Sequence, residues 1–123
     1  MKLSPEEFEE LVTRAIAEVP DFARKYLDDV VVDIEPMPTR GECARVGIRN
    51  PRALLGLYHG TPRTKRSIEH APMHPDRITI YQDNIERICH TREQVVEQVR
   101  KTVLHEIGHH FGLDEDDLWE VGY

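Results

Sequence analysis

Apolar residues recur at helical spacing in a stretch near the N-terminus. Its apolar positions are Phe8, Leu11, Val12, Ala15, Ile16 and Val19. Ser4 and Glu7 have the spacing of a capping box, and a proline follows Ser4 at the first helical position. The pattern predicts a helix that begins at Pro5 and ends before Pro20. Asp21 is a candidate cap for a second, short helix.

A second stretch of helical spacing lies toward the C-terminal end of the sequence. Its apolar residues, which fall within one half of a helical wheel, are Val95, Val96, Val99, Val103, Leu104, Ile107 and Phe111. Thr91 and Gln94 have the spacing of another capping box, and Gly112 is a typical C-terminal stop. We therefore predict one long helix, from Thr91 to about Phe111, with one side in the core.

Three shorter stretches have the composition of β-strands. Val30–Ile34 is rich in β-branched residues, Leu54–Tyr58 is bounded by Gly60, and Arg77–Tyr81 alternates polar and apolar residues as a half-buried strand would. A weak helical pattern follows the third stretch, and most of the prolines lie in the middle of the chain, which indicates loops. This order of elements predicts a single α+β domain spanning residues 1–123.

The composition narrows the class of protein. Of the 123 residues, 39% are hydrophobic and 32% are charged, which suffices for one modest core. The net charge of −7 argues against general nucleic-acid binding, because phosphate contacts need clustered basic side chains. No apolar run approaches the ~20 residues that span a bilayer, and the first residues lack the apolar stretch of a signal peptide. We therefore expect a cytoplasmic protein without membrane contact, in which Cys43 and Cys89 are buried free thiols.

One segment is basic although the chain as a whole is acidic. Residues 40–66 hold seven basic side chains and one acid, so their formal charge is +6. A segment of this kind could meet an acidic substrate or partner. A solvated loop is the simpler interpretation.

The predicted long helix contains the motif H-E-x-x-H at His105, Glu106 and His109. Residues four apart lie on one helical face, so both imidazoles can reach one metal ion, and the glutamate beside the first histidine can act on water at that metal. On a helical wheel the two histidines lie opposite the apolar side, and Glu106 lies at the border between the two. Partial burial there is expected to raise the basicity of Glu106, as a general base requires.

Two histidines do not complete a catalytic zinc site, which usually has three protein ligands and an open position. Fourteen residues follow His109, so we expect the third ligand to be local or to come from upstream. In the extended motif H-E-x-x-H-x-x-G-x-x-H the chain turns back at the glycine and brings its last residue to the metal. That position is Glu115 here, with Asp114 and Asp116 as alternatives, and a carboxylate is an acceptable zinc ligand.

The segment HEIGHHFGLDEDDL, together with the upstream stretches LLGLYHG and PDRITIY, resembles the minimal zincin family of small, single-domain bacterial metallopeptidases. The resemblance runs from about Leu11 to Leu118. It implies a compact α+β fold, with a small mixed sheet against the motif helix, and a zinc-dependent peptidase. The family pattern ends in aspartate where this sequence has Glu115, and no methionine follows the motif to form a Met-turn.

The sequence therefore predicts a zinc metallopeptidase that acts on a peptide or protein substrate, with Glu106 as the catalytic base. Zinc on His105, His109 and Glu115 would polarise the scissile carbonyl and lower the pKa of water, whose proton Glu106 would pass to the leaving amine. The alternatives are a non-catalytic zinc-binding module and a regulatory interaction protein. A structural zinc site requires ligands but no general base, so the presence of Glu106 favours the enzyme.

The remaining candidates have weaker signals. An extended substrate could pair with an exposed strand edge, for which residues 77–82 are our candidate. A second electrophile could be His110, Tyr58 or Tyr123, although each of these is more often a packing or surface residue. For the other histidines we expect surface positions: His59, His70, His74 and His90.

Overall fold

The computed structural model describes residues 1–60 and 76–112, and these form an α+β fold, as predicted. The α-helices are α1 (Pro5–Ala17), α2 (Asp21–Arg24), α3 (Arg40–Arg45), α4 (Gln82–Ile88) and α5 (Arg92–Phe111), and the strands are β1 (Val30–Glu35), β2 (Gly56–His59) and β3 (Asp76–Tyr81). Short 3-10 turns lie at Lys25–Leu27 and Pro51–Ala53. The three predicted strands and the long helix are confirmed.

The three strands form one mixed sheet in the order β1-β3-β2. β1 runs parallel to β3, with Val32 opposite Ile78, and β2 runs antiparallel to β3, with Tyr58 opposite the same isoleucine. β3 is therefore the central strand, and the prediction that residues 77–82 offer an exposed edge is wrong. The alternating pattern wrongly indicated a half-buried strand, because Thr79 and Tyr81 are fully buried on the second face of the sheet.

The main core lies between the sheet and the two longest helices. α1 packs against α5, and both contribute residues that are almost completely buried, including Phe8, Val12, Val99 and Val103. The sheet contributes Ile78 and Ile80 to this core, along with the ring of Tyr58. Burying a side chain of this size contributes about 1.5–3 kcal/mol, so this shared core holds α5 against the sheet.

The helix ends follow the predictions in part. Ser4 and Glu7 form the complete capping box of α1, but the residue that caps α2 is Pro20 rather than Asp21, and it makes no side-chain cap bond. At α5, Thr91 accepts from the amide of Gln94, whose side chain accepts instead from His90 N–H, so the second capping box is only half formed. Gly112 ends α5 with a left-handed φ of 68°, as predicted.

Part of the basic segment is helical, contrary to the prediction of loops. α3 begins at a complete capping box made by Thr39 and Glu42. The prediction of loops follows from the surrounding prolines, which are typical of turns, although this S/T-x-x-E signal is present in the sequence. The helix buries Cys43, and both cysteines of the chain are buried free thiols, as predicted. Within the described residues, no helix is both long and apolar enough to pass through a bilayer.

A close approach between β2 and α5 occurs at Gly56. A Cβ atom added at this glycine would lie 2.6 Å from Cγ2 of Thr102 and 3.1 Å from the carbonyl oxygen of Thr79. Only glycine therefore fits between the strand and the helix at this point. Thr102 lies one helical turn before Glu106, so the contact at Gly56 sets the distance between β2 and the motif.

Candidate metal centre

α5 presents the two histidines of the motif on its exposed side. His105 and His109 are four residues apart and exposed, and their ring centroids lie 4.3 Å from each other. The opposite side of the helix carries the apolar residues that enter the core, from Val95 to Ile107. The helix faces predicted from the sequence are confirmed, because the core fixes one side and leaves the imidazoles at the surface.

Glu106 lies at the border of the two sides and is half-buried. Its Oε1 accepts a hydrogen bond of 3.0 Å from the backbone N–H of Tyr58 in β2. Burial raises the pKa of Glu106 above its ordinary value, while the Tyr58 N–H and the neighbouring His105 and His109 favour the charged form and oppose that rise. The expected gain in basicity is therefore confirmed, and its cause is desolvation.

The motif places three possible ligand groups together. One ligand atom each of His105, Glu106 and His109 lies within 4.8 Å of the others. Imidazole nitrogens and a carboxylate oxygen are donors that Zn²⁺ prefers, and the exposure of both rings leaves space for further ligands. The donor set therefore fits zinc. The candidates for the third protein ligand, Glu115, Asp114 and Asp116, lie outside the described residues.

The motif opens into a cleft of about 1000 Å³ between α5 and β2. One wall is formed by α5, from Gln98 to His110, and the other by the chain from Val46 to Tyr58. The cleft runs along the helix for about three turns, with the histidine pair near one end. Its length and its position beside a sheet edge suit an extended ligand.

β2, rather than β3, supplies the strand edge beside the motif. The amide of Tyr81 donates to the carbonyl of Leu55, which places residue 55 in register with β3. Because outward and inward groups alternate along an antiparallel strand, Gly56 and Tyr58 direct their N–H and C=O groups away from β3. At Tyr58 both groups are engaged: the N–H binds Glu106, and the C=O accepts from Nη2 of Arg45 at 3.0 Å.

The two described candidates for a second electrophile are held in a packed cluster. The hydroxyl of Tyr58 donates to the buried carboxylate of Asp76 at 2.8 Å, and the ring of His110 stacks on the tyrosine with centroids 3.9 Å apart. Nε2 of His110 lies 3.8 Å from the same carboxylate. These contacts support the packing interpretation for both residues. Tyr123, the third candidate, lies outside the described residues.

The surface prediction for the remaining histidines is wrong at His59. Nε2 of this half-buried ring lies 3.1 Å from Oγ1 of Thr79 and 3.4 Å from a carboxylate oxygen of Glu42. Burial, followed by the charges of Arg77 and Arg45, lowers the pKa of His59. His90 is exposed as expected, and His70 and His74 lie outside the described residues.

Sequence reasoning missed the contributions of Gly56, Arg45 and the Tyr58 backbone to the site. Which N–H groups of a strand point outward depends on the neighbouring strand with which it pairs, and the residue types do not indicate that neighbour. The glycine was visible in the sequence, and a glycine inside a strand pattern is a recognised sign of close backbone approach.

Comparisons with known proteins agree with this geometry. A family profile described as zincin-like metallopeptidase matches residues 27–123 of the chain. Among solved structures, the chain is similar to a conserved hypothetical protein from Thermo thermophilus, with 24% sequence identity and a TM-score of 0.52. The alignment covers 89% of this chain and 94% of that one, and it supports the fold alone. A search of curated proteins finds no match.

Proposed function

Since the chain belongs to the zincin-like metallopeptidase family, we propose that it is a zinc-dependent peptidase whose active site is built on His105, Glu106 and His109. The observation that carries the proposal is the position of Glu106. Its carboxylate lies within 4.8 Å of both imidazoles and is fixed by a strand edge that borders an open cleft. A site that only bound zinc for stability would need no such carboxylate beside its ligands.

In this proposal His105 and His109 hold the metal through ring nitrogens. The third ligand comes from the acidic segment after Gly112, and Glu115 is favoured by its register in the motif. Zinc held by these groups would supply Lewis acidity and would lower the pKa of water, so that a nucleophile for the peptide carbonyl is available near neutral pH.

Glu106 takes the proton of the attacking water and delivers it to the amine that leaves. The Tyr58 N–H orients the carboxylate by binding Oε1, while Oε2 has no hydrogen-bond partner among residues 1–60 and 76–112. Partial burial keeps the pKa of this carboxyl above its ordinary value, which makes it a better base.

The substrate in this proposal is a peptide or protein segment in extended form, lying along β2. Both outward groups of Tyr58 are engaged, whereas the outward N–H and C=O of Gly56 have no partner among the described residues and are left for main-chain pairing. The substrate edge proposed here replaces the β3 edge predicted from the sequence.

The test combines zinc analysis with peptide cleavage on five proteins: wild type, His105→Ala, His109→Ala, Glu106→Gln and the control His90→Ala. We expect about one zinc per chain in the wild type, the Gln variant and the control, with reduced zinc in the two metal-site Ala variants. Cleavage of an unstructured protein should be retained only by the wild type and the control, because His90 is an exposed histidine outside the cleft.

Two outcomes would contradict the proposal. A wild-type protein that binds zinc yet cleaves no peptide would favour the non-catalytic zinc-binding module or the regulatory interaction protein. A wild-type protein that binds no divalent metal would exclude the metal site itself.

A further inference from the structure

Three arginines alternate with residues that line the cleft. Val46, Ile48 and Ala53 form part of the wall opposite α5, and their chain neighbours Arg45, Arg49 and Arg52 are exposed. We name these three side chains the arginine rim. The segment that carries them, residues 45–53, contains no acidic residue.

The arginine rim differs from most other arginines of the described chain in its lack of ion pairs. Elsewhere, arginine and carboxylate meet in the pairs Arg14–Glu93, Arg24–Asp21, Arg77–Asp33, Arg92–Glu7 and Arg100–Glu97. No carboxylate of the described residues lies within 4.0 Å of a rim guanidinium, although the whole chain has a net charge of −7. Within its described part, an acidic protein therefore holds three cations beside its cleft without a carboxylate partner.

Arg45 brings this charge to the substrate edge. Its Nη2 donates to the C=O of Tyr58, whose N–H holds Glu106. One strand residue advances about 3.3 Å, so the guanidinium and the general base lie within roughly one or two substrate residues of each other. A guanidinium has five N–H donors, and the contacts of Arg45 with the described residues involve Nη2 alone. Within residues 1–60 and 76–112 no group occupies the other donors, which can therefore bind a ligand.

The rest of the cleft does not neutralise this charge. Glu106 is the one carboxylate among the described residues that line it. Lys101 on the α5 wall adds a further cation, although it pairs with Glu97 at 3.7 Å. A cleft with this charge attracts anions and raises their association rate.

We infer that the substrate of this site is an acidic peptide, whose carboxylate groups bind the arginine rim, with Arg45 nearest to the scissile bond. The inference rests on the proposed function and names its substrate class. The carboxylate could belong to an Asp or Glu side chain or to the C-terminus of the peptide. Guanidinium binds either in the same bidentate way.

The test uses quenched fluorescent peptides built around a sequence that the zinc-loaded wild type cleaves. Glu, Gln or Lys is placed at each position that flanks the scissile bond, and each peptide is made with a free or an amidated C-terminus. At low salt we expect kcat/KM for the best Glu peptide to exceed that of its Gln counterpart by about ten-fold or more. The advantage should shrink at about 0.5 M salt, because screening weakens exposed charges.

The variants are compared by the Glu-to-Gln ratio of kcat/KM, which a general loss of activity does not change. Arg45→Gln should lower this ratio about ten-fold, and Arg45→Glu should give a preference for the Lys peptide. The double variant Arg49→Gln/Arg52→Gln should also lower it, and these two side chains make no hydrogen bond among the described residues, so its fold is not at risk. Lys2→Gln removes one positive charge, as Arg45→Gln does, at an exposed position outside the cleft lining, and it should leave the ratio unchanged.

Each outcome decides between the two claims. The inference is overturned, and the peptidase proposal left intact, if the wild type cleaves Glu and Gln peptides equally and also cleaves free and amidated peptides equally. A wild-type preference for carboxylate that Arg45→Gln leaves unchanged overturns it as well. Cleavage of no peptide at all overturns the proposed function and the inference with it. If amidation of the C-terminus alone lowers kcat/KM, the bound carboxylate is that of the chain end. If replacement of Glu by Gln lowers it, the carboxylate is that of a side chain.

Discussion

Gly56 offers a direct test of how the fold positions the site. Its replacement by alanine places a methyl group 2.6 Å from Cγ2 of Thr102 and 3.1 Å from the backbone oxygen of Thr79. Carbon atoms in good contact lie about 3.5–4.0 Å apart, so β2 and α5 must separate by roughly 1 Å to accept the methyl. Overpacking of this kind typically costs about 1–3 kcal/mol, and we expect Gly56→Ala to lower the free energy of unfolding by about 2 kcal/mol.

A second substitution isolates the cause. Thr102→Ser removes Cγ2 and retains the hydroxyl that donates to the carbonyl of Gln98 at 2.8 Å. This change should cost about 1 kcal/mol by itself, because it removes one buried methyl group. In the double variant the serine relieves the closer contact but leaves the contact with Thr79. The double variant should therefore lose less free energy of unfolding than the sum of the two single losses, by about 0.5 kcal/mol or more.

Urea denaturation of the four proteins measures these free energies. The same preparations should show lower peptidase activity for Gly56→Ala, because a shifted β2 withdraws the Tyr58 N–H from Glu106. Two results would contradict the claim that the contact at Gly56 sets the distance between β2 and α5. One is a Gly56→Ala protein as stable as the wild type, and the other is a double variant whose loss equals the sum of the single losses.

Three further results are expected. Thr91→Ala should lower the free energy of unfolding by about 1 kcal/mol in urea, because it removes the cap bond to the Gln94 amide, whereas replacement of the exposed Thr13 of α1 by alanine should change it little. The folded-state pKa of His59 is below its ordinary value of 6.5, so the stability that the neutral ring contributes is fully present above pH 6.5 and is lost as the pH falls through the folded pKa. The free energy of unfolding of His59→Gln should therefore fall less than that of the wild type as the pH is lowered. An equal fall in the two proteins would contradict this. Zinc at about 100 times its Kd should raise the unfolding free energy by about 2.7 kcal/mol, an effect that His109→Ala should diminish and that excess chelator should remove.

The parts of the fold predicted correctly depend on local chemistry. The capping box at Ser4, the left-handed stop at Gly112 and the two faces of α5 each follow from residues within a few positions of one another. The motif histidines are predictable for the same reason, since four-residue spacing on one helix brings side chains together whatever the rest of the chain does. These features required no knowledge of strand pairing.

The errors concern long-range pairing. The alternation from Arg77 to Tyr81 reports two faces of a strand but not whether it is central, and β3 gains its second neighbour from a separate segment earlier in the chain. His59 is half-buried for the same reason: β2 places it against Thr79 of the central strand. The link between Tyr58 and Glu106 joins residues 48 positions apart through a backbone N–H, which residue types do not reveal.

Our main proposal is that Glu106 acts as the base of a zinc site formed by His105 and His109. Its most direct test is kcat for wild type and Glu106→Gln at matched zinc content, measured on one peptide. We expect equal zinc, near one per chain, and a kcat lower by about 10²–10⁴-fold in the variant, the usual effect of removing a general base. Comparable rates in the two zinc-loaded proteins would contradict it.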